Sequence, residues 1–243
     1  MNNAYQTMSA EWYDNLWAAE WMDYSTYGPT RRHVRKIMHT LIAPLHFDSI
    51  LDIGCGEGSF LKEVVALRPN IQVIGTDVSP KAIELARKQV PQGRYEFLDV
   101  EHHALDLQAD LTICCEVLEH IEDDHTAIAN LAKMTRRYLV TVVPQGRMRG
   151  FERGDVGHVR NYTRELLSER LVAGGFQPLA VVEWGFPFFS PLYRDFLDRM
   201  PNNTVKGRMD WRKHLVATLL YKLFELNSWD KGDKLVILAE RSA

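Results

Sequence analysis

Three acidic residues and a run of glycines carry the clearest chemical signal in the chain. In LDIGCGEGSF, Gly54, Gly56 and Gly58 follow a β-branched run and open a helix-forming one, with Asp52 just ahead of them. Glycine at such a turn tolerates left-handed backbone and lets a ligand approach the main chain with no Cβ in the way. The spacing is GxGxG, not the GxGxxG of a dinucleotide site. An acid beside the loop repels a pyrophosphate and attracts a ligand bearing an ammonium or sulfonium group. Asp77, in VIGTDVSP, stands at the end of the next β-branched run. There it can accept hydrogen bonds from both hydroxyls of a ribose, or cap the helix that follows. Asp99, in FLDVE, can accept from an adenine amino group or simply form a turn.

These acids act together only if the fold brings them to one edge. From Ser49 the chain alternates SILDIG, SFLKEVVALR, QVIGTDV, PKAIELARKQV and RYEFLDV, then DLTICCEV, DDHTAIANLAKMT and RYLVTVVP. Short apolar runs alternating with helical spans predict successive βαβ units, hence a parallel sheet whose strand ends share one ligand-binding edge. After Pro144, QGRMRGFERGDVGHVRNYT reads as a long loop, RELLSERLVAGGF as a helix, and PLAVVEW and KLVILAER as the last strands. The expected fold is α/β: a Rossmann-like, doubly wound, seven-stranded sheet, mostly parallel with one antiparallel strand. A single domain over 1–243 is expected, with an N-terminal helical lid at 1–45, a core at 49–144 and an insert at 186–230 on the substrate side.

The motifs DIGCGEG, GTDVS, LDV and CEVLEHI, in this order over Ser49 to Pro144, resemble those of class I S-adenosylmethionine (SAM)-dependent methyltransferases of the small-molecule type. The resemblance implies SAM as cofactor and S-adenosylhomocysteine as product. It implies that Asp52 and the loop of Gly54, Cys55, Gly56 and Gly58 hold the methionine part, Asp77 with Val78 the ribose, and Asp99 with Val100 the adenine edge. Glu116, beside Val117, matches the position that closes over the sulfonium side. Glu119 and His120 match the EHI signature; they either line the substrate side or are polar residues starting a helix. The implied reaction is methyl transfer to an oxygen or nitrogen of a small-molecule acceptor. An RNA or protein methyltransferase, or a non-catalytic partner built on the same fold, are the alternatives.

Outside the matched stretch the readings stay open. AEWYDNLWAAEWMDYSTYGPTRRH is rich in Trp and Tyr. The rings form either a water-excluding lid, with Tyr13 and Tyr27 as its candidates, or plain packing against the sheet. His158, in GDVGHVRNYT, is placed to act as a general base, to hold a substrate oxygen, or to anchor its loop. Arg160, with Arg147, Arg149 and Arg153, either clamps an anionic substrate group or is solvated. Phe188 and Tyr193 suit an apolar acceptor, a dimer contact or a satellite core.

The formal net charge of -3 supplies no field to hold a polyanion, so nucleic acid is not expected as a partner. Three cysteines make no disulfide framework, and no Cys/His spacing suggests a metal. The first 17 residues show no basic cluster before an apolar run, which predicts a cytoplasmic protein without a secretory signal. Leu215 to Leu226 is interrupted by Lys222 and Glu225 and is far short of the ~20 apolar residues of a spanning helix. A homodimer is possible.

Overall fold

The alternation of apolar and helical spans resolves into seven strands: β1 (Ser49–Ile53), β2 (Gln72–Asp77), β3 (Arg94–Phe97), β4 (Ala109–Cys115), β5 (Thr135–Pro144), β6 (Phe176–Trp184) and β7 (Lys234–Arg241). The computed structural model describes residues 9–19, 21–154, 156–199 and 208–242. Residues 1–8 and 20 of the expected lid and 200–207 of the expected insert therefore lie outside the described residues.

The strands form one sheet in the order β3-β2-β1-β4-β5-β7-β6. β1 to β5 run parallel, and β7 lies antiparallel to both β5 and β6. This is the expected α/β sheet with its single reversed strand. Because alternate side chains leave opposite faces, each strand feeds two cores. Ile50, Val73, Ile113 and Val140 join α3 (Pro29–Ile42), α4 (Ser59–Leu67) and α5 (Pro80–Gln89) on one face. Leu51, Ile53, Leu139 and Ile237 join α6 (Asp124–Met134) and α8 (Arg164–Ala173) on the other. Both faces being covered, β1 is buried along its whole length, which is why it reads as a continuous apolar run around Asp52.

The chain leaves β1 for β2 on one side and later returns to β4 on the other. The loops beyond β1 and β4 diverge at this switch of direction and leave a crevice at the carboxyl ends. Over it lie α1 (Ala10–Ala19) and α2 (Met22–Tyr27).

Some expected boundaries shift. β3 stops at Phe97, so Asp99 sits in a turn two residues beyond the strand. The stretch after Pro144 is not an open loop: it contains α7 (Gly150–Gly154) and is pinned by a bridge between Gln145 and Tyr162. The expected insert divides in two. A turn at Phe188–Tyr193 and α9 (Arg194–Arg199) face the crevice, whereas α10 (Trp211–Phe224) packs outside, against α3.

Candidate active site

Gly54, Gly56 and Gly58 adopt φ of 70°, 55° and 86°, the left-handed conformation that the spacing predicts. A Cβ on Gly54 would strike Val117, and one on Gly56 would lie 2.6 Å from the Trp17 indole. Gly58 stands behind the loop as the cap of α4 and allows close packing on Ala86. Of the two readings of Asp77, the helix cap falls to its neighbour: Ser79 Oγ accepts from Ala82 N at 3.0 Å. The Asp77 carboxylate instead accepts from Gly56 N at 3.0 Å and Ser79 N at 2.9 Å, tying the glycine loop to the end of β2. Burial raises its pKa to about 6, against the pull of those hydrogen bonds. Asp52 is pushed well above the usual carboxylate range by burial, with the charges of Asp77 and Glu57 adding to it.

A cavity of about 680 Å³ opens from this loop. Asp52, Gly54, Cys55, Gly56, Asp77, Val78, Asp99, Val100, Glu116 and Val117 all line it, so the structure gathers every expected cofactor residue except Gly58 and Tyr27. Tyr27 points away: it is exposed and packs edge-on against His214 at 4.7 Å. Tyr24, one helical turn earlier, takes the cavity position. Asp99 accepts from Glu101 N at 3.1 Å and faces His102 at 3.0 Å, making a turn and lining the cavity at once.

The aromatic leader covers the opening. Tyr13, Trp17, Trp21 and Tyr24 line the cavity, and Trp17 and Trp21 meet edge-on at 5.3 Å. Packing and lid are thus the same arrangement, since the rings bury one another while closing over the glycine loop. Asp14 anchors the cover, accepting from Lys81 N at 3.0 Å and from Ser79 Oγ. Nothing in the sequence marked it, because an acid inside an amphipathic helix reads as solvated. Asp14→Ala keeps a helix-forming residue but removes both bonds, so SAM affinity measured by calorimetry should weaken by roughly five- to tenfold.

At the far end, Glu116 takes φ 58°, the one non-glycine residue with positive φ among the described residues. Arg31 contacts its carboxylate at 2.8 Å and Lys234 from the other side. Although burial works the opposite way, these two cations hold Glu116 well below the usual range. Arg31 and Lys234 escaped sequence reading because they lie 85 residues before and 118 residues after their partner. Beyond them His120 and His158 meet edge-on at 4.9 Å, and Tyr13 packs on His120 at 6.0 Å. Burial lowers His120 to about 4; burial and then the neighbouring His120 lower His158 to about 3. Beneath them Glu119 is fully buried, and its Oε1 is 4.0 Å from His158 Nε2. Neither Glu119 oxygen nor His158 Nδ1 has a hydrogen-bond partner among the described residues. Burial, then the Glu116 charge, raise Glu119 to about 8. Glu119, His120 and His158 each offer a ligand atom within 4.8 Å of the others, a donor set able to hold a divalent cation.

Two expected substrate residues are elsewhere. Arg160 donates to the carbonyls of Ile121 and Glu122 and pairs with Asp124 at 3.4 Å, fixing the His158 loop to the start of α6. Phe188 packs into the core beside the cavity, and its neighbour Phe189 lines the wall with Tyr193. Arg149, between Asp195 at 2.8 Å and Asp233 at 3.0 Å, is likewise structural.

Residues 51–137 match the family described as a methyltransferase domain. The matched residues carry the glycine loop, Asp52, Asp77, Asp99 and Glu116. Over 106 residues it is 38% identical to the mitochondrial ubiquinone biosynthesis O-methyltransferase of Schizosaccharomyces pombe, covering 41% of this chain and 35% of that one. It is 31% identical over 108 residues to the malonyl-[acyl-carrier protein] O-methyltransferase of Acetivibrio thermocellus, covering 42% and 37%. The chain thus matches little more than a third of the length of these relatives. The N-methyltransferase NodS of Bradyrhizobium japonicum, in complex with S-adenosyl-L-homocysteine, shares the fold over 100% of both chains at a TM-score of 0.63 and 18% identity.

The methyltransferase domain's loop fits its cofactor on its own geometry. Asp52, Glu57 and Asp77 gather around a cradle that any Cβ would fill, and among the described residues no cation pairs with them. Buried carboxylates in such a cluster favour a cationic ligand. No helix among the described residues is long and apolar enough to cross a membrane.

Proposed function

We propose that the protein transfers a methyl group from SAM to a small-molecule acceptor, with a hydroxyl oxygen as the favoured nucleophile and an amine nitrogen as the other. The observation that carries this reading is the continuity of one cavity, running from the glycine loop and Asp77 to Tyr13, His120, His158 and Tyr193. The two curated relatives named above are O-methyltransferases. When bound, SAM supplies a methyl already activated by its sulfonium, so the chain's work is alignment and exclusion of water.

Asp52 and the glycine loop would hold the charged methionine part, Asp77 the ribose, and Asp99 with Val100 the adenine edge. Trp17 and Tyr24, over the loop and beside Arg31, would keep water from the sulfonium. His158, neutral at working pH, would accept a hydrogen bond from the acceptor hydroxyl and point its oxygen at the methyl, with Tyr193 and Phe189 forming an apolar wall. Calorimetric titration with SAM and S-adenosylhomocysteine, followed by a screen of phenolic and carboxylate-bearing acceptors with labelled SAM, tests the reading. Micromolar binding with label transfer is the expected result. Failure to bind SAM would point instead to a scaffold built on the same fold.

The unpartnered oxygens of Glu119 favour a second reading of the acceptor end. A divalent cation held by Glu119, His120 and His158 would lower the acceptor's pKa directly, where the sequence alone gave no metal motif. On that reading, exhaustive chelation should reduce turnover by at least tenfold, and magnesium or manganese should restore it. Unchanged turnover after chelation returns the role to His158 alone.

A further inference from the structure

α10 is apolar on two opposite sides, and among the described residues only one of them is covered. Ala217, Leu220, Tyr221 and Phe224 face α3, where the His33 ring stacks on Tyr221 at 4.4 Å and its Nε2 meets the Tyr221 carbonyl at 2.9 Å. Trp211, Leu215, Leu219 and Leu223, at four-residue spacing, form a second stripe on the outer side together with Val216. Trp211 is 71% exposed, Leu219 61% and, just past the helix, Leu226 68%, so among the described residues the stripe lies open. A helix that only had to cover α3 needs no such stripe.

The charges around it say what it fits. Arg212 and Lys222 project within the stripe, and Arg32 and Lys36 of α3 line an adjoining open groove with Tyr221. The Arg32 guanidinium lies 3.7 Å above the Tyr221 ring, and among the described residues no carboxylate pairs with Arg32, Lys36 or Arg212. Of the acids nearby, Glu63 in the same groove is taken by Arg35 at 2.8 Å and His39 at 3.0 Å, Asp210 is engaged in capping Lys213 N at 2.9 Å, and Glu225 meets Lys222 at 3.3 Å. Cations thus gather around an exposed apolar stripe in a chain whose net charge is -3.

We propose that this face docks on an anionic phospholipid bilayer, with α10 lying in the plane of the headgroups. Fourteen residues are too few to span a bilayer but suit a helix whose apolar side sinks to the acyl boundary, with Trp at the interface and Lys and Arg against lipid phosphates. A second copy of the chain fits less well. Pairing this face with itself across a two-fold axis would set Arg212, Lys222, Arg32 and Lys36 against their own counterparts. Docking of this kind holds the cavity next to a membrane and would suit an acceptor dissolved in it.

The test is co-sedimentation of the full chain with vesicles of phosphatidylcholine alone and with 30% phosphatidylglycerol added, at 50 and 300 mM salt. The expected result is binding to the anionic vesicles that weakens at high salt. Leu215→Glu/Leu219→Glu should lose at least tenfold in partitioning, and Arg212→Gln/Lys222→Gln roughly fivefold per cation removed. Both pairs are exposed, so circular dichroism and SAM binding should be unchanged, and a defect in either would trace to folding. Absence of binding to both vesicles, partitioning indifferent to these substitutions, or a dimer by sedimentation velocity that Leu215→Glu/Leu219→Glu dissociates would overturn the proposal.

Discussion

Asp77→Asn should weaken SAM binding by roughly thirty- to a hundredfold at pH 7.5, a loss of about 2–3 kcal/mol. On the proposed reading the carboxylate has two duties, one toward the ribose and one toward the backbone. Both oxygens already accept main-chain N–H groups, from Gly56 and Ser79. An amide can keep one of these bonds, but it presents N–H to the other donor, so the glycine loop loses its tie to β2 as well as its ribose acceptor. The wild-type protein should show a milder version of the same defect on acidification. Burial raises the folded-state pKa of Asp77 from 3.8 to about 6. Ionised Asp77 is therefore disfavoured in the free protein, which loses at most about 3 kcal/mol of stability as pH rises from about 4 to about 6. A cationic ligand with hydroxyl donors reverses the preference. SAM affinity should accordingly fall about tenfold between pH 7 and pH 5, while the free protein's melting temperature rises over the same interval. Calorimetry and thermal melts at four pH values check both, and in Asp77→Asn each trend should flatten. Affinity independent of pH in the wild type would remove Asp77 from the ribose site.

What the sequence disclosed about this site follows from the range of the forces involved. The glycine loop, Asp52, Asp77 and Asp99 were legible because each sits within a few residues of a strand end, and strand ends of a parallel sheet converge by topology alone. Gly54 and Gly56 carry the strongest signal because their φ values admit almost nothing else. The acceptor end was only half legible. His120 and His158 were marked one by one, but their meeting depends on Val159 N donating to the Glu119 carbonyl at 2.9 Å, a contact between a turn and a loop 40 residues apart. The distinction between Tyr24 and Tyr27 rests on helix phase, and α2 is too short for a periodic pattern to fix its phase. Arg160 looked like a clamp because the sequence shows a charge but not the carbonyls of Ile121 and Glu122 that absorb it. Phe188 and Phe189 are adjacent, and which of the two turns inward is set by a turn that no hydrophobic pattern encodes.

His158→Ala should leave SAM affinity within twofold of wild type and lower kcat by roughly a hundred- to a thousandfold, once an acceptor is in hand. The separation follows from geometry. His158 lines the same cavity as the glycine loop, but its contacts are with His120 and Glu119 at the opposite end from Asp52 and Asp77. On the proposed reading, removing the ring would take away the acceptor for a substrate proton and leave Asp52, Asp77 and the glycine loop intact. Because burial keeps His158 neutral down to about pH 3, the deficit should be the same at pH 6 and pH 8. His158→Gln, which retains a hydrogen-bond acceptor, should recover part of kcat if the ring only orients the acceptor, and none if it must take the proton. Glu119→Gln adds the remaining discrimination. Its carboxyl does not line the cavity and lies 4.0 Å from His158 Nε2, so on the proposed reading it would act through His158 as a positioning residue unless a cation sits between them. If it only positions, the amide should cost severalfold in kcat and leave the response to chelation unchanged. If it is a ligand, the same substitution should abolish the recovery that magnesium or manganese gives the wild type.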